Sequence, residues 1–414
     1  MTEWKKYRVK DVARLIGSGA TPTSGNDRYY ENGIHYWVNT GDFNNSEIYG
    51  CKQLISDTAI REIPTLRFYP INTILVAMYG ASIGKVGILK VKATVNQACC
   101  AIALKENLFS SRFLFYLLIN CKDSLLKESF GGTQPNVSKE IIANLIFKIP
   151  SLQVQQRIVE YLDAKTTEID NKIELLGKKR DAYKRLKIAT INHAVIRGLD
   201  EHVKLKDTDI DWIGEIPVHW ETRRIKDEVE VNKLTLTEST SPMYKFRYID
   251  ISNVSSEGVI SFIEEVYFYE APSRARRIVQ KGDIIVSTVR TYLKSIGMID
   301  FDAKDVVVST GFAVLSPIKS YSKYFYYLLR SNHLIDEICA LSSGVSYPAI
   351  AATRIESINI PVPPLEEQKQ IAAYLDDRCA KIDEAVTIID KQIDALKRLK
   401  RSLINEVVTG KRMV

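Results

Sequence analysis

Residues 80–85 read GASIGK and combine glycine, serine and lysine much as a phosphate-binding loop does. A true phosphate-binding loop has four residues between its glycines and a Ser or Thr after its lysine, so that backbone N–H groups and a hydroxyl hold phosphate and Mg²⁺. Here three residues separate the glycines, and Val86 follows the lysine. The corresponding stretch in the second half of the chain, residues 290–295, reads RTYLKS and has no glycine. The sequence therefore argues against nucleotide binding.

Motifs for adenine methylation are also missing. A methyltransferase needs an Asn/Asp-Pro-Pro-aromatic loop for the flipped base and a Gly-rich turn for the methyl donor, and neither pattern occurs. The one double proline, Pro363-Pro364, precedes LEEQ, which suits the start of a helix. No nucleophile, base and orienting acid are suggested, although a triad is spatial and a sequence can hide one. We expect a protein that binds without catalysing.

The composition indicates which kind of partner the protein binds and in which cellular compartment it is expected. The net charge of +7 suits a polyanionic partner. The six cysteines and five histidines show no metal-ligand spacing, so we expect no metal site and no cofactor in this chain. No apolar run approaches the roughly 20 residues of a membrane span, and MTEWKKYRVK lacks a signal-peptide core. We expect a cytoplasmic protein without membrane contact.

The elements that position any site come from an internal duplication. Residues 152–196 match residues 365–409 at a shift of 213 residues, sharing Tyr-Leu-Asp, Ile-Asp and KRLK. The segments before them also correspond, since WKKYRVKD near the N-terminus matches WETRRIKD after residue 219. The order along the chain is therefore A, B, A′, B′.

Both B segments are predicted to be long helices. Apolar residues recur at spacings of three, four and seven between charged ones, as in Ile382, Val386, Ile389 and Ile393. Gly177 is the one glycine inside either helix. About 45 helical residues span about 65 Å, and so narrow an apolar stripe needs a partner helix. Topology makes the other copy, packed antiparallel as a coiled coil, the natural partner.

The A segments predict strand-dominated domains. Short apolar runs at residues 73–79 and 283–289 alternate with Gly, Asn, Pro and Ser turns, and helices are expected near residues 113–125 and 324–338. The predicted fold class is α+β: two β-rich domains separated by two long helices, with internal duplication and pseudo-twofold symmetry. The predicted boundaries are 1–150, 151–200, 201–362 with a junction at 201–219, and 363–414.

Three paired loop clusters of the A segments carry the candidate functional residues. Small polar or basic side chains there differ between the copies while flanking apolar residues are kept, as expected if one fold reads two DNA sequences. For each residue taken alone, ordinary turn chemistry or a solvated charge is the simpler explanation, whereas the three paired loops taken together favour a functional role. The candidates are Asn39, Thr40 and Asp42 with Asp250, Ser252 and Asn253; Ser82 and Lys85 with Arg290, Tyr292 and Lys294; and Gln134 and Asn136 with Ser346 and Tyr347.

The whole chain resembles the specificity subunits of type I restriction-modification systems. The matching motifs are IPSLQVQQRIVEYLD, IPVPPLEEQKQIAAYLDD and DIDWIGEIPVHWETRRIK, with GTQPN and VVTGKR similar to family signatures. SGVSYP lacks the glutamine of GTQPN, so no contact role is carried from Gln134 onto that loop.

This resemblance implies two target recognition domains, each reading half of a bipartite site in double-stranded DNA. The paired helices would hold two modification subunits and set the spacer. Adenine methylation with S-adenosylmethionine, and restriction with ATP and Mg²⁺, would belong to partner modification and restriction subunits. The competing interpretations are a methyltransferase or nuclease with unusual motifs, and a coiled-coil scaffold whose β-rich domains bind protein.

Overall fold

The computed structural model describes residues 4–106, 108–131, 135–261, 264–344 and 347–414. The chain forms two compact units, Met1–Leu176 with Lys391–Val414, and Gly177–Asp390. Each unit therefore combines one β-rich segment with part of both long helices. The boundary between the two units therefore falls within each long helix, after Leu176 in the first and after Asp390 in the second.

The first unit is built on a mixed five-stranded sheet whose central strand is entirely buried. The sheet order is β2-β9-β6-β7-β4, β3 pairs with β5 and, in parallel, with β8, and β1 pairs with β10. The strands are β1 (Lys5–Arg8), β2 (Ala13–Ser18), β3 (His35–Val38), β4 (Ser46–Ile48), β5 (Leu54–Ile55), β6 (Ile74–Ala77), β7 (Val86–Leu89), β8 (Thr94–Val95), β9 (Cys99–Leu104) and β10 (Ile146–Ile149).

The second unit repeats the core of this topology. Its sheet order β14-β21-β18-β19 corresponds to β2-β9-β6-β7, β13 pairs with β22 as β1 does with β10, and β15 runs parallel to β20 within the order β16-β15-β20-β17. The strands are β11 (Leu205–Asp207), β12 (Glu215–Pro217), β13 (Glu221–Arg224), β14 (Val229–Val231), β15 (Lys245–Ile249), β16 (Glu264–Tyr267), β17 (Ala275–Ile278), β18 (Ile284–Ser287), β19 (Ile296–Met298), β20 (Val306–Ser309), β21 (Phe312–Pro317) and β22 (Asn359–Val362).

The two long helices lie where the periodicity predicted them. Helix α6 spans Leu152–Arg197 and α11 spans Leu365–Val408, each within one residue of its predicted end. The other α-helices are α1 (Val9–Val12), α2 (Asp57–Glu62), α3 (Ser111–Ile119), α4 (Lys122–Lys127), α5 (Lys139–Asn144), α7 (Ile225–Glu228), α8 (Ser322–Leu329), α9 (Asn332–Ala340) and α10 (Ala352–Glu356).

Each of the two shorter predicted helices is divided in the structure. The segment expected near 324–338 consists of α8 and α9, because Ser331 interrupts it and caps α9 by accepting from the Leu334 N–H at 3.4 Å. The segment expected near 113–125 consists of α3 and α4, which are separated at Asn120 and Cys121. The apolar pattern of the sequence continues across both breaks, so it does not show where one helix ends and the next begins.

Within each unit the long helices pack antiparallel, as predicted. In the first unit, Lys400 of α11 pairs with Asp170 of α6 at 2.6 Å, and Arg412, just beyond the end of α11, lies over the ring of Tyr161 nearer the start of α6. The two chain directions are therefore opposite. Leu162 of α6 and Leu403 of α11 share one apolar core. Burial of the stripes from both helices stabilises this packing.

The second unit repeats the arrangement. Lys187 pairs with Asp383 at 2.6 Å and Arg180 with Asp390 at 3.3 Å, and Val195 of α6 shares the apolar core with α11. The antiparallel pairing is therefore present on both sides of the division between the units.

A buried glutamine fixes the start of α6 to the first unit. Gln155 is 1% exposed, and its amide accepts from the Ser110 N–H at 2.8 Å and donates to the Pro150 carbonyl at 2.9 Å. Gln368 of α11 does the same in the second unit with the Tyr321 N–H and the Pro363 carbonyl. The shared Gln of the duplicated motif is thus a structural residue.

An aspartate on each long helix adds a second anchor. Asp163 accepts from the Tyr116 hydroxyl and from Arg112 Nε at 2.9 Å, and burial together with this hydrogen bond raises the pKa of Tyr116 to about 12. Asp376 binds Tyr327 and Lys323 in the same way in the second unit. The Tyr-Leu-Asp motif therefore ties each helix to the β-rich segment beside it.

Candidate nucleic-acid interface

Three loops in each unit contain the candidate residues. Loop 1 follows β3 at residues 39–45 and β15 at residues 250–254. Loop 2 connects β6 to β7 at residues 78–85 and β18 to β19 at residues 288–295. Loop 3 spans residues 130–136 and 343–349, of which Gln134 and Ser346 lie outside the described residues. Because loop 2 leaves a wholly buried strand, its base is held rigidly.

Loop 2 of the first unit is joined to loop 3 by main-chain hydrogen bonds. The Gly80 N–H donates to the Pro135 carbonyl at 2.8 Å, and the Val137 N–H donates to the Met78 carbonyl at 2.8 Å. Loop 3 closes on itself through reciprocal bonds between Phe130 and Asn136 at 2.9 and 2.7 Å. These main-chain bonds therefore join the two loops into one surface.

The second unit has the same set of main-chain bonds between loops 2 and 3, which we call the frame. The Arg290 N–H donates to the Pro348 carbonyl at 2.7 Å, and the Ile350 N–H donates to the Thr288 carbonyl at 2.9 Å. Ser343 and Ala349 close loop 3 reciprocally at 2.9 Å. The duplication thus preserves the frame and changes the side chains mounted on it.

Loop 1 is a tight turn whose polar side chains hold its backbone. In the first unit Asp42 Oδ2 accepts from the Asn39 N–H at 2.7 Å, and the Asn39 amide donates to the Trp37 carbonyl and to Gln53 Oε1. In the second unit Asn253 Oδ1 accepts from the Asp250 N–H at 2.8 Å. The turn chemistry that the sequence left open therefore applies to these residues.

Loop 1 is also linked to loop 2. In the second unit Ile251 lies against Gly311, since a Cβ added to that glycine would come within 2.7 Å of Ile251 Cδ1. The Gly311 carbonyl accepts from the N–H and hydroxyl of Thr288 at 2.8 and 2.9 Å. In the first unit Asn45 Oδ1 accepts from the Val86 N–H at 3.0 Å. The structure thus brings the three loops of each unit together.

The candidates differ in how accessible they are. Ser252, Arg290, Tyr292 and Tyr347 are exposed, and the guanidinium of Arg290 lies over the Tyr347 ring at 4.5 Å. Lys294 is half-buried, and its Nζ donates to Asn332 Oδ1 at 3.2 Å. The remaining described candidates are half-buried: Asn39, Thr40, Asp42, Ser82, Lys85, Asn136, Asp250 and Asn253.

Two exposed aromatic residues of the first unit were not selected from the sequence. Tyr79 and Phe130 are 48% and 68% exposed, and both pair with Asn136 through isolated backbone bridges. Exposed aromatic rings are suited to contacts with bases or sugars. Their only sequence signal is their position beside glycines, at Tyr79-Gly80 and Phe130-Gly131, which by itself does not separate an exposed aromatic from a core one.

The described residues offer little for catalysis by metals or for membrane insertion. No three His, Cys, Asp or Glu side chains among them are grouped as metal ligands. No helix within the same ranges is long and apolar enough to cross a membrane. Burial, and then the Asp42 carboxylate, raise the pKa of Cys51 to about 11, so this thiol is not activated as a nucleophile.

The duplicated frame corresponds to a known family. The family model described as the type I restriction modification DNA specificity domain matches residues 1–180 and 217–398. The chain belongs to this family. The resemblance noted in the sequence is confirmed, and each match covers one β-rich segment together with part of the long helix that follows it.

Curated relatives agree with this assignment. The chain is 26% identical to the MjaVIII specificity subunit of Methanocaldococcus jannaschii over 82% of this chain and 79% of that protein. It is 24% identical to the putative MjaX specificity subunit of the same organism over 99% of this chain and 93% of that protein.

Solved structures share the fold. A chain from work on complex assembly and conformational transition of the type I R-M system matches with a TM-score of 0.75 at 17% identity, covering 99% of this chain and 98% of that one. The HsdS subunit from Thermoanaerobacter tengcongensis matches with a TM-score of 0.53 at 16% identity, over 99% and 97%. The predicted α+β architecture with two long packed helices is confirmed.

Proposed function

We propose that this specificity subunit reads a bipartite site in double-stranded DNA, with one half-site for each target recognition domain. The observation that carries the proposal is that both units have one main-chain frame bearing two different sets of polar side chains. Frame contacts such as Gly80 with Pro135 and Arg290 with Pro348 are the same, whereas the exposed groups differ. Base edges are read by such groups, whereas phosphate contacts position the protein.

The chain itself acts without catalysis in this proposal. Its sequence lacks the base-flipping and methyl-donor motifs. Adenine methylation with S-adenosylmethionine then belongs to modification subunits, and cleavage driven by ATP and Mg²⁺ to restriction subunits. The complex would act on DNA in the cytoplasm.

Two modification subunits fit the duplicated helices. Apolar side chains stay exposed at matching positions of both helices, namely Leu175 with Ile388 and Leu186 with Leu399. Exposed apolar residues at repeated positions are suited to a partner that docks twice in the same way. The helices then serve a second role, since an unbroken helix of fixed rise per residue can set the spacer between half-sites.

Co-expression with the modification subunit of the same system tests the proposal. Sequencing of the methylated host DNA should show adenine methylation in one bipartite motif. The purified chain alone should transfer no methyl group from a radiolabelled donor. Methyl transfer by the chain alone, or a complex that methylates no defined motif, would refute the assignment.

A further inference from the structure

Loop 2 differs between the units at two positions with an unusual backbone conformation. Gly80 and Gly84 of the first unit have φ values of +59° and +75°. Arg290 and Lys294 of the second unit stand at the matching positions with φ values of +52° and +56°. Residues other than glycine rarely adopt this left-handed conformation, and bulky ones do so at an energetic cost. The second unit therefore has a lysine and an arginine with strained backbones at two positions where the first unit has unstrained glycines.

The side chain of Lys294 makes an internal hydrogen bond, whereas among the described residues the guanidinium of Arg290 makes none. Lys294 Nζ donates to Asn332 Oδ1, which ties loop 2 to α9. Among the described residues, the Arg290 guanidinium has no hydrogen bond or ion pair, and it lies over the Tyr347 ring at 4.5 Å. A strained backbone at an exposed residue whose hydrogen-bond donors are unused within the described structure points to a functional contact.

The contact with Tyr347 prepares Arg290 for a planar ligand. A guanidinium over an aromatic ring is restricted in orientation, while its N–H donors stay free at the edge of its plane. Tyr347 is 63% exposed and sits on loop 3, which is fixed to loop 2 by the bond from the Arg290 N–H to the Pro348 carbonyl. The donor pair is thus held on a rigid frame and faces outward.

Guanine matches this donor pair. In the major groove, guanine presents two adjacent acceptors, O6 and N7, which a guanidinium binds in bidentate fashion. We propose that Arg290, positioned by Tyr347, reads a guanine in the half-site recognised by the second unit. This inference rests on the proposed function. The first unit has Gly80 at this position, so it reads its own half-site without an equivalent contact.

The decisive variant is Arg290→Gly, which installs the residue that the first unit uses at the same φ and so leaves the loop able to fold. In complex with the modification subunit, this variant should lose the preference for guanine at one base pair, by roughly tenfold or more. The spacer and the other half-site should stay the same. Tyr347→Phe should retain the preference, and Tyr347→Ala should weaken it. Lys281→Ala, an exposed cation at the opposite end of β18, is the matched control.

A modified base separates base reading from phosphate binding. A duplex with 7-deazaguanine at that position lacks the N7 acceptor, so it should weaken binding of the wild-type complex and leave binding of Arg290→Gly unchanged. Equal weakening of the variant on all DNA sequences would mean a phosphate contact and would overturn the inference. So would an unchanged motif in an active variant complex. Failure of the wild-type complex to methylate any defined motif would instead refute the proposed function.

Discussion

Lys187 on α6 donates to both carboxylate oxygens of Asp383 on α11, at 2.8 and 2.6 Å. The equivalent pair forms in the first unit with the helices exchanged, since Lys400 of α11 donates to both oxygens of Asp170 of α6 at 2.8 and 2.6 Å. Both lysines end a KRLK motif and both aspartates belong to an Ile-Asp motif. The duplicated motifs therefore recognise each other, and they fix the register of the helix pair in each unit.

Removing one of these ion pairs should destabilise the protein slightly. The pairs are partly exposed, so a double-mutant cycle on Lys187→Ala and Asp383→Ala should give a coupling energy of about 0.2–1 kcal/mol from denaturant unfolding. Exchange of both charges, with Lys187→Asp and Asp383→Lys, should restore most of the lost free energy of unfolding. The control is Lys381→Ala, whose partner Asp377 lies on the same helix. A coupling energy of zero would show that the apolar stripe alone sets the register.

Replacing the buried Gln155 should lower the free energy of unfolding more than removing one of these ion pairs. Gln155→Leu leaves the Ser110 N–H and the Pro150 carbonyl without their partner, so the free energy of unfolding should fall by about 1–3 kcal/mol. Gln156→Leu, on the exposed neighbour, should have little effect. Thermal unfolding measures both. Equal melting temperatures for the two variants would contradict the anchoring role of Gln155.

The helices were predictable because their signal is local and repeated. The apolar spacing of α6 and α11 recurs over many turns, and the duplication itself indicated that each helix was the other's partner. The divisions at Asn120 and Ser331 were not predicted, since one capping residue ends a helix without changing the apolar pattern. Prediction of the loops was less complete. The bond from Gly80 to Pro135 joins residues far apart in sequence through main-chain atoms, which leave no side-chain pattern.

The role of Asp42 can be divided by two substitutions. Asp42→Asn keeps an acceptor for the Asn39 N–H, as Asn253 shows in the second unit, so stability should be unchanged. Asp42→Ala loses the acceptor and should cost about 1 kcal/mol. If the second carboxylate oxygen of Asp42 accepts from a base, both variants should change the methylated motif at one base pair of one half-site. An unaltered motif in Asp42→Asn would restrict this residue to shaping the turn.

The exposed apolar residues at matching positions of the two helices predict the stoichiometry of the complex. Leu175→Glu should weaken docking of one modification subunit, and Ile388→Glu docking of the other, because each buries a charge in an apolar contact. Native mass spectrometry should then show the loss of a single modification subunit in each variant. Loss of both subunits from either variant, or of none, would place the docking surface elsewhere.

The spacer hypothesis predicts the effect of lengthening both helices. The division between the units crosses α6 at Gly177 and α11 at Asp390, so four residues inserted at each point preserve the contacts within each unit. The insertion adds roughly 6 Å, and DNA rises about 3.4 Å per base pair, so the spacer should lengthen by one or two base pairs. The half-site sequences should not change. An unchanged spacer in the methylated motif would reduce the helices to connectors.

Loops 2 and 3 are joined by main-chain hydrogen bonds, and this has a consequence for how the recognised DNA sequence would change during evolution. The bonds of Arg290 with Pro348 and of Thr288 with Ile350 use only N–H and carbonyl groups, so the exposed side chain at position 290 takes no part in them. If these loops read bases as proposed, a point mutation at an exposed loop position would alter the recognised base while the main-chain bonds between the loops persist. New specificities would then arise one base pair at a time, without rebuilding the backbone that carries the loops.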